Sequence, residues 1–182
     1  MILTDAQIRE EMRKGSIVIR PYREDCLGTN SYDVHLGPWL ATYSRPELDV
    51  KKPTPIHTFR IPKTGFVLMP NQLYLAVTRE YTETHRHVPF LEGKSSVGRL
   101  GIDIHSTAGK GDVGYCNYWT LEISAKVPVR IYSGMPIGQL IYFEVSGKVD
   151  VDYARKKSAK YRKISNRPVP SRMYLNFRKR GR

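Results

Sequence analysis

The sequence contains a glycine-flanked polar loop and, further along, an isolated carboxylate, and both could act on a phosphorylated ligand. The loop begins Gly93-Lys94-Ser95-Ser96 and ends at Gly101, so an ammonium group, two hydroxyls and free backbone N–H groups lie in a small volume. Such donors suit charge-assisted hydrogen bonds to a polyphosphate. Glu122 lies in the alternating apolar run 119–123, where a charge is rare unless it is paired or used.

Each feature also has an ordinary structural explanation, because Gly-x-Ser-Ser occurs in simple loops and a strand glutamate can face solvent. Arg99, four residues after Ser95, helps to decide between the structural and the functional explanation. A guanidinium left unpaired in an apolar barrel would cost several kcal/mol. We expect Arg99 to be buried and therefore to need an anion or a carboxylate as its partner, for which Glu122 is the natural candidate.

The segments that must position these residues are mostly short strands. Thr4-Asp5-Ala6-Gln7 is a capping box, and the spacing of Ile8 and Met12 predicts a short helix over residues 4–14. After residue 15, β-rich runs recur between Gly, Pro and Asn residues, which is typical of an all-β barrel or double sheet. The predicted strands are 17–19, 32–36, 58–61, 65–69, 73–78, 89–91, 102–104, 119–125, 129–132 and 137–145.

The net charge of +13 is concentrated at one end of the chain. Residues 148–182 contain thirteen Lys or Arg and two acids, whereas residues 1–147 contain seventeen basic and fifteen acidic side chains. We therefore divide the chain into a domain, 1–147, and a basic tail, 148–182. The tail is a solvated end, a nucleic-acid arm or a lid over a polyanionic ligand. Interleaved Tyr153, Lys160 and Tyr161 favour the lid, nucleic acid is the least favoured partner, and residues 178–182 are expected to be disordered.

Targeting signals and cysteine usage indicate a cytoplasmic protein. The chain has no stretch of about 18 apolar residues and no secretory pattern at Met1-Ile2-Leu3, so we expect no membrane association. Cys26 and Cys116 belong to no CxxC pair, and in a reducing compartment they are expected to be free thiols.

The segment from Glu92 to Gln139 resembles the dCTP deaminase and trimeric dUTPase superfamily almost without gaps, and Thr120-Leu121-Glu122 favours its deaminase branch. The resemblance extends from Met1 to Phe177. It implies a dUTPase-like distorted β-barrel of the double-sheet jelly-roll type, with a short N-terminal helix. It further implies a homotrimer whose active sites are shared between neighbouring subunits.

The same resemblance assigns roles to particular residues. Glu122, Arg99 and Ser95 would be catalytic. The triphosphate would lie on the polar loop and on the tail, Asp112 would accept the deoxyribose 3′-OH, and Tyr115 would pack under the sugar. Backbone groups of alternate strand residues would contact the pyrimidine edge. The substrate-binding residues are thus Lys94, Ser95, Ser96, Arg99, Thr107, Ala108, Lys110, Asp112, Tyr115, Tyr118, Thr120, Tyr153 and Lys160.

Deamination at C4 of cytosine requires general acid and base catalysis, and one carboxylate can move each proton in turn. Zinc deaminases use an H-x-E…P-C-x-x-C arrangement, which this chain lacks, and its two cysteines lie ninety residues apart, so we expect no zinc site. Glu122, Ser95 and the backbone around Thr107 and Ala108 would activate the water instead. Magnesium is expected only as the companion of the triphosphate.

The preferred interpretation is a dCTP deaminase that releases ammonia and forms dUTP, with dUMP and pyrophosphate as further products in bifunctional relatives. The ending Pro170-Ser171-Arg172 with Tyr174, Asn176 and Phe177 resembles bifunctional members. One alternative is a dUTPase or other nucleotide pyrophosphatase without deaminase activity. Another is a nucleotide sensor or nucleic-acid-binding protein. Inhibition by dTTP is left open.

Overall fold

The computed structural model describes residues 1–178, and its first element is the predicted helix, α1 (Asp5–Arg13). Thr4 is the N-cap: its Oγ1 accepts a hydrogen bond from the Gln7 N–H at 3.3 Å, and Gln7 Oε1 accepts one from the Thr4 N–H at 2.9 Å. The predicted capping box is therefore confirmed. Ile8 is fully buried and anchors the helix on the sheet.

Replacing Thr4 with alanine should lower the free energy of unfolding by about 1 kcal/mol, because the Gln7 N–H loses its acceptor at the start of α1. Urea denaturation followed by circular dichroism measures the change. Thr64→Ala, at an exposed turn position, is the control and should stay within about 0.5 kcal/mol of the wild type. Equal stabilities for both variants would show that the cap contributes nothing.

Ten strands follow in the described part of the chain, and every predicted strand is present with shifted ends. The largest differences are in the second and fifth strands, which extend well beyond the predicted residues 36 and 78. The strands are β1 (Ile17–Arg20), β2 (Tyr32–Tyr43), β3 (Ile56–Arg60), β4 (Phe66–Leu68), β5 (Tyr74–Thr84), β6 (Val88–Gly93), β7 (Ile102–Asp103), β8 (Cys116–Ala125), β9 (Val129–Ile131) and β10 (Pro136–Phe143). The remaining helical segments are α2 (Ser95–Gly98) and two 3-10 turns, Glu24–Cys26 and Met173–Asn176.

Eight strands form one nearly closed, barrel-like sheet. Its order is β6-β10-β2-β5-β8-β7, with β1 added to β5 and β3 added to β2, and all the pairings are antiparallel. β4 and β9 form a separate pair. The predicted all-β class with a short N-terminal helix is confirmed.

β2 and β5 continue past their predicted ends because β-bulges absorb a break in each pattern. The alternation breaks at Gly37-Pro38, so the sequence predicts a strand end there, but the register shifts after Leu36 and pairing resumes. A Cβ on Gly37 would lie 2.7 Å from the Val77 carbonyl oxygen, so only glycine allows the two strands to approach this closely.

A buried acid fixes the geometry of these bulges. Glu80 is 2% exposed, and its carboxylate accepts a hydrogen bond from the His35 N–H at 2.8 Å. Its other oxygen lies 2.7 Å from His35 Nδ1. His35 is therefore a structural partner of Glu80, as a buried carboxylate requires.

The core lies inside the barrel and is made of the inward-facing aliphatic residues of its strands. Val34, Leu36 and Leu40 of β2 and Leu121 and Ile123 of β8 are each at most 1% exposed. Within residues 1–178, no helix combines the length and apolarity needed to span a membrane.

The basic C-terminal segment, residues 148–178, lies against the barrel. Arg167 stacks 4.0 Å from the centre of the Trp39 indole, and Ser171 donates its N–H to the Tyr43 hydroxyl at 3.2 Å. Internal bonds shape the segment: Tyr153 and Tyr161 accept from the backbone N–H groups of Tyr161 and Arg172. The predicted disorder of residues 178–182 falls, apart from Arg178, outside the described residues.

Candidate active site

β8 directs alternate side chains into the core and towards a cleft on the other face. Trp119 and Leu121 are buried in the core, whereas Tyr118, Thr120 and Glu122 are half-buried on the cleft face. The sequence alternation thus places a carboxylate on the wall of a cleft.

Two adjoining cavities of about 400 Å³ and 340 Å³ open along this face. They share Ala108, Tyr115, Glu122 and Tyr161, so the carboxylate lies where the two spaces meet. The walls come from β8, from the loop that precedes it, from the C-terminal segment and, in the larger cavity, also from Tyr43, Leu73 and Leu75. Nine predicted site residues line one or both cavities: Ala108, Lys110, Asp112, Tyr115, Tyr118, Thr120, Glu122, Tyr153 and Lys160.

Glu122 is held at both its backbone and its side chain. Its N–H donates to the Ile104 carbonyl at 3.0 Å, and its Oε2 accepts from the Ser106 N–H at 3.2 Å. One carboxylate oxygen is thus oriented by the loop after β7, which leaves acceptor capacity on the other oxygen. This arrangement suits a group that takes up and returns protons at a fixed position.

Tyr115 forms an aromatic floor between the two cavities. Its ring centre lies 4.9 Å from that of Trp119 and 5.7 Å from that of Tyr153. Its hydroxyl donates to the Tyr118 carbonyl at 2.9 Å, and burial raises the pKa of the phenol, which therefore stays neutral. A rigid apolar surface of this kind can support a flat or ring-shaped ligand.

Lys110 and Asp112 lie at the mouth of the second cavity and pair with each other, with 2.8 Å between Lys110 Nζ and Asp112 Oδ1. Both side chains are about half exposed. A water-facing ion pair of this kind is weak, so either group is available to a polar ligand.

The free edge of β8 differs in one respect from the prediction. The Tyr118 N–H donates to Asn117 Oδ1 at 2.9 Å and its carbonyl accepts from Tyr115, so the predicted readout of a base by Tyr118 backbone groups is not supported. The backbone of Thr120 fits the predicted contact with a base better. The Glu122 N–H points away from β5, and by the same alternation the Thr120 N–H and C=O also point away from β5. They lie on a part of the strand edge that β7 does not cover, because β7 pairs only with residues 124 and 125.

Asn117 is a functional candidate that the sequence analysis missed. It is 3% exposed, and its amide donates to the Tyr161 carbonyl at 3.1 Å and to the Lys163 carbonyl at 3.0 Å. Its oxygen also accepts from the Ser165 N–H at 2.9 Å. One side chain of β8 thus fixes three points of the C-terminal segment. The signal available in the sequence was a polar residue at an inward position of an alternating strand.

A second anchor lies on the cleft face of the same strand. Thr120 Oγ1 accepts from the Val169 N–H at 3.2 Å. Tyr161, Ser165, Val169 and Ser171 of the C-terminal segment all line the first cavity. The segment is therefore a wall of the cleft.

The polar loop is organised differently from the prediction. α2 begins after Lys94, whose ammonium group is ion-paired with Asp33, and Ser95, Ser96 and Arg99 are exposed. Neither of the two cavities is lined by any of these four loop residues, or by Thr107, which is also exposed.

The expectation of a buried Arg99 paired with Glu122 is wrong for the described chain. α2 buries Val97 alone, so the following Arg99 projects from the end of a surface turn. Within residues 1–178, neither Arg99 nor Glu122 takes part in an ion pair. Solvent around the guanidinium removes the burial cost that had argued for a partner.

The barrel with a cleft along β8 has the fold of a known class of nucleotide enzyme. A solved 2′-deoxycytidine 5′-triphosphate deaminase from Agrobacterium tumefaciens matches 78% of this chain with a TM-score of 0.62 and 22% sequence identity. This chain covers 47% of that one, about half its length. At that identity the match shows the fold alone.

Sequence relatives define the family. The profile of a family described as dCTP deaminase-like matches residues 2–145. A protein of Clostridium acetobutylicum named "dCTP deaminase, dUMP-forming" is 47% identical over 178 residues, which cover 97% of this chain and 99% of the relative. One of the same name from Leptospira biflexa is 47% identical over 182 residues, or 99% and 100% of the two chains. The chain belongs to the dCTP deaminase-like family, and the predicted resemblance is confirmed.

Proposed function

We propose that this protein hydrolyses dCTP, releasing ammonia, and continues to dUMP and pyrophosphate. The observation that carries the deaminase step is the Glu122 carboxylate, oriented by the Ser106 N–H at the junction of the two cavities. The names of the relatives at 47% identity support dUMP rather than dUTP as the final product.

In the deaminase step, Glu122 is the single proton carrier. It takes a proton from water as the oxygen bonds to C4 of cytosine, and it delivers that proton to ring N3. It then takes the second proton of the former water and transfers it to the leaving amine. The C4–N bond breaks as ammonia departs, and the carbonyl of uracil remains.

The lining of the two cavities supports the following placement of the ligand. Tyr115 supports the deoxyribose, Asp112 accepts its 3′-OH, and the Thr120 backbone contacts the pyrimidine edge. Lys160 and Tyr153 lie on the second cavity and bind the phosphates. The C-terminal segment closes over the nucleotide and excludes water, which strengthens the electrostatic interactions inside.

The second step hydrolyses the bond between the α- and β-phosphates of the bound dUTP. Water adds its oxygen to the α-phosphorus and pyrophosphate leaves, so dUMP keeps one phosphate. Cationic side chains such as Lys160 stabilise the charge that develops on the leaving group.

The donors that line the cavities support a catalytic step without zinc. In the described residues, neither cavity is lined by a histidine or cysteine, so the residues present do not form a zinc site of the deaminase type. The carboxylates there are Asp112 and Glu122. Magnesium therefore enters as the companion of the triphosphate and supplies charge neutralisation there.

The exposure of the polar loop supports active sites shared between the subunits of a homotrimer. Ser95, Ser96 and Arg99 are exposed donors that line neither cavity around Glu122, and within the described part of the chain the lining of those two cavities includes lysines but no arginine. A neighbouring subunit that presents its polar loop to this cleft would bring these donors to the bound triphosphate. In that arrangement Arg99 and Ser95 act on the nucleotide across the interface.

Mixing inactive variants tests the shared site. Arg99→Ala and Glu122→Gln should each be inactive alone, but trimers assembled from equal amounts of both should regain activity at about one quarter of their sites. Ser95→Ala mixed with Arg99→Ala is the matched control and should recover nothing, because both residues belong to the same half-site. Equal recovery in both mixtures, or in neither, would contradict the arrangement.

The proposed reaction is tested by incubating the pure protein with magnesium and dCTP and resolving ammonia, dUTP, dUMP and pyrophosphate together. We expect ammonia, dUMP and pyrophosphate. Ammonia with dUTP as the only nucleotide product would make the protein a deaminase that does not carry out the second step. No ammonia, with pyrophosphate formed from dUTP, would make the protein a pyrophosphatase, and a parallel run with dTTP measures inhibition.

A further inference from the structure

A cluster of three potential metal ligands lies at the end of the β5–β8 pair. Glu83 and Cys116 are opposite each other in the strand register, and His85 follows Glu83 by two residues. The ligand atoms of the three side chains all lie within 4.8 Å of one another. No comparable group of three occurs elsewhere in residues 1–178, and none of the three lines the cavities around Glu122.

The separation of the donors suits one ion. His85 Nε2 lies 2.9 Å from Glu83 Oε2. Two donors bound tetrahedrally to an ion at about 2.0–2.1 Å would be separated by about 3.4 Å, so these two atoms need to move apart by only about half an ångström. The hydrogen bond between the two side chains can therefore be replaced by two metal bonds with little movement.

The backbone holds these ligands in place without the ion. Thr84, between Glu83 and His85, donates its N–H to the Tyr115 carbonyl at 3.2 Å and accepts from the Gly114 N–H at 2.8 Å. The loop entering Cys116 is thus tied to the residue between the other two ligands. A site on paired strands needs little ordering when the ion binds.

The donor set selects the class of ion. A thiolate, an imidazole and a carboxylate together suit Zn²⁺ and similar borderline metals, whereas Mg²⁺ and Ca²⁺ prefer oxygen ligands alone. The His85 side chain is 45% exposed and that of Glu83 22%, so an ion has access from solvent. We propose that Glu83, His85 and Cys116 bind one Zn²⁺-class divalent ion, with water completing its coordination.

The test uses the reduced full-length protein without a histidine tag, and Co²⁺ as a spectroscopic probe. We expect a thiolate-to-Co²⁺ charge-transfer band that saturates at one equivalent and disappears when Zn²⁺ displaces the probe. Cys116→Ser should remove the band, and His85→Ala or Glu83→Gln should weaken binding by more than about tenfold. Matched controls at other sites, Cys26→Ser, His57→Ala and Glu47→Gln, should leave the titration unchanged.

A second measurement on the wild-type chain guards against variants that do not fold. Zn²⁺ should slow alkylation of Cys116 by iodoacetamide, as read by peptide mass spectrometry, and magnesium should not. No charge-transfer band, a band that persists in Cys116→Ser, or equal alkylation with and without Zn²⁺ would overturn the proposal. Since neither readout involves a nucleotide, the result is independent of the deaminase proposal.

Discussion

Glu122→Gln should lower ammonia release from dCTP by about a thousandfold, because the amide cannot accept the proton that the attacking water must lose. The substitution keeps the size of the side chain. The glutamine carbonyl oxygen can still accept the hydrogen bond that Glu122 Oε2 accepts from the Ser106 N–H, at 3.2 Å in the wild type. Folding and nucleotide binding should therefore change little. Ammonia release under saturating dCTP, together with the Kd for dCTP, separates chemistry from binding.

The control for this prediction is Glu144→Gln, which removes a carboxylate that is ion-paired with the chain N-terminus at 3.7 Å and lines neither cavity around Glu122. It should retain wild-type turnover. Supplying dUTP to Glu122→Gln then asks whether the second step is separable, and continued formation of dUMP would assign Glu122 to deamination alone. Ammonia release from Glu122→Gln within tenfold of the wild type would refute the role we give this residue.

Asn117→Asp should release the C-terminal segment from the barrel and lower turnover by about a hundredfold. The new carboxylate keeps the acceptor for Ser165 but faces the carbonyls of Tyr161 and Lys163, which lose their donors at 3.1 Å and 3.0 Å. These two hydrogen bonds are part-buried, so the unsatisfied acceptors should cost about 1 kcal/mol each. Because this segment is a wall of the first cavity, its release opens the cleft to water.

Limited trypsin digestion measures that release without reference to activity, since the segment is rich in Lys and Arg. Asn117→Asp should be cut within residues 148–178 much faster than the wild type, while the barrel itself resists. Asn166→Asp, the same substitution at an exposed position of the same segment, should behave as wild type in both assays. Unchanged digestion in Asn117→Asp would mean that the other contacts of the segment suffice.

Elements with a local cause were well predicted. α1 follows from a capping box within four residues, and the face of β8 that carries Glu122 follows from strict alternation. Both signals come from residues that are close together in the chain, so they do not depend on how the rest of the molecule packs. The extensions of β2 and β5 were not predicted because bulges interrupt their alternation, and the support for those bulges comes from Glu80 and His35, 45 residues apart.

The candidate site divides in the same way. The sequence alone determined which chemistry is present: a carboxylate on a strand face, an aromatic and acidic loop before it, a polar loop rich in donors, and a basic tail. Only the tertiary structure decided which of these meet. It placed the tail on the cleft through Asn117 and left Arg99 in solvent, because such contacts depend on strand order and register.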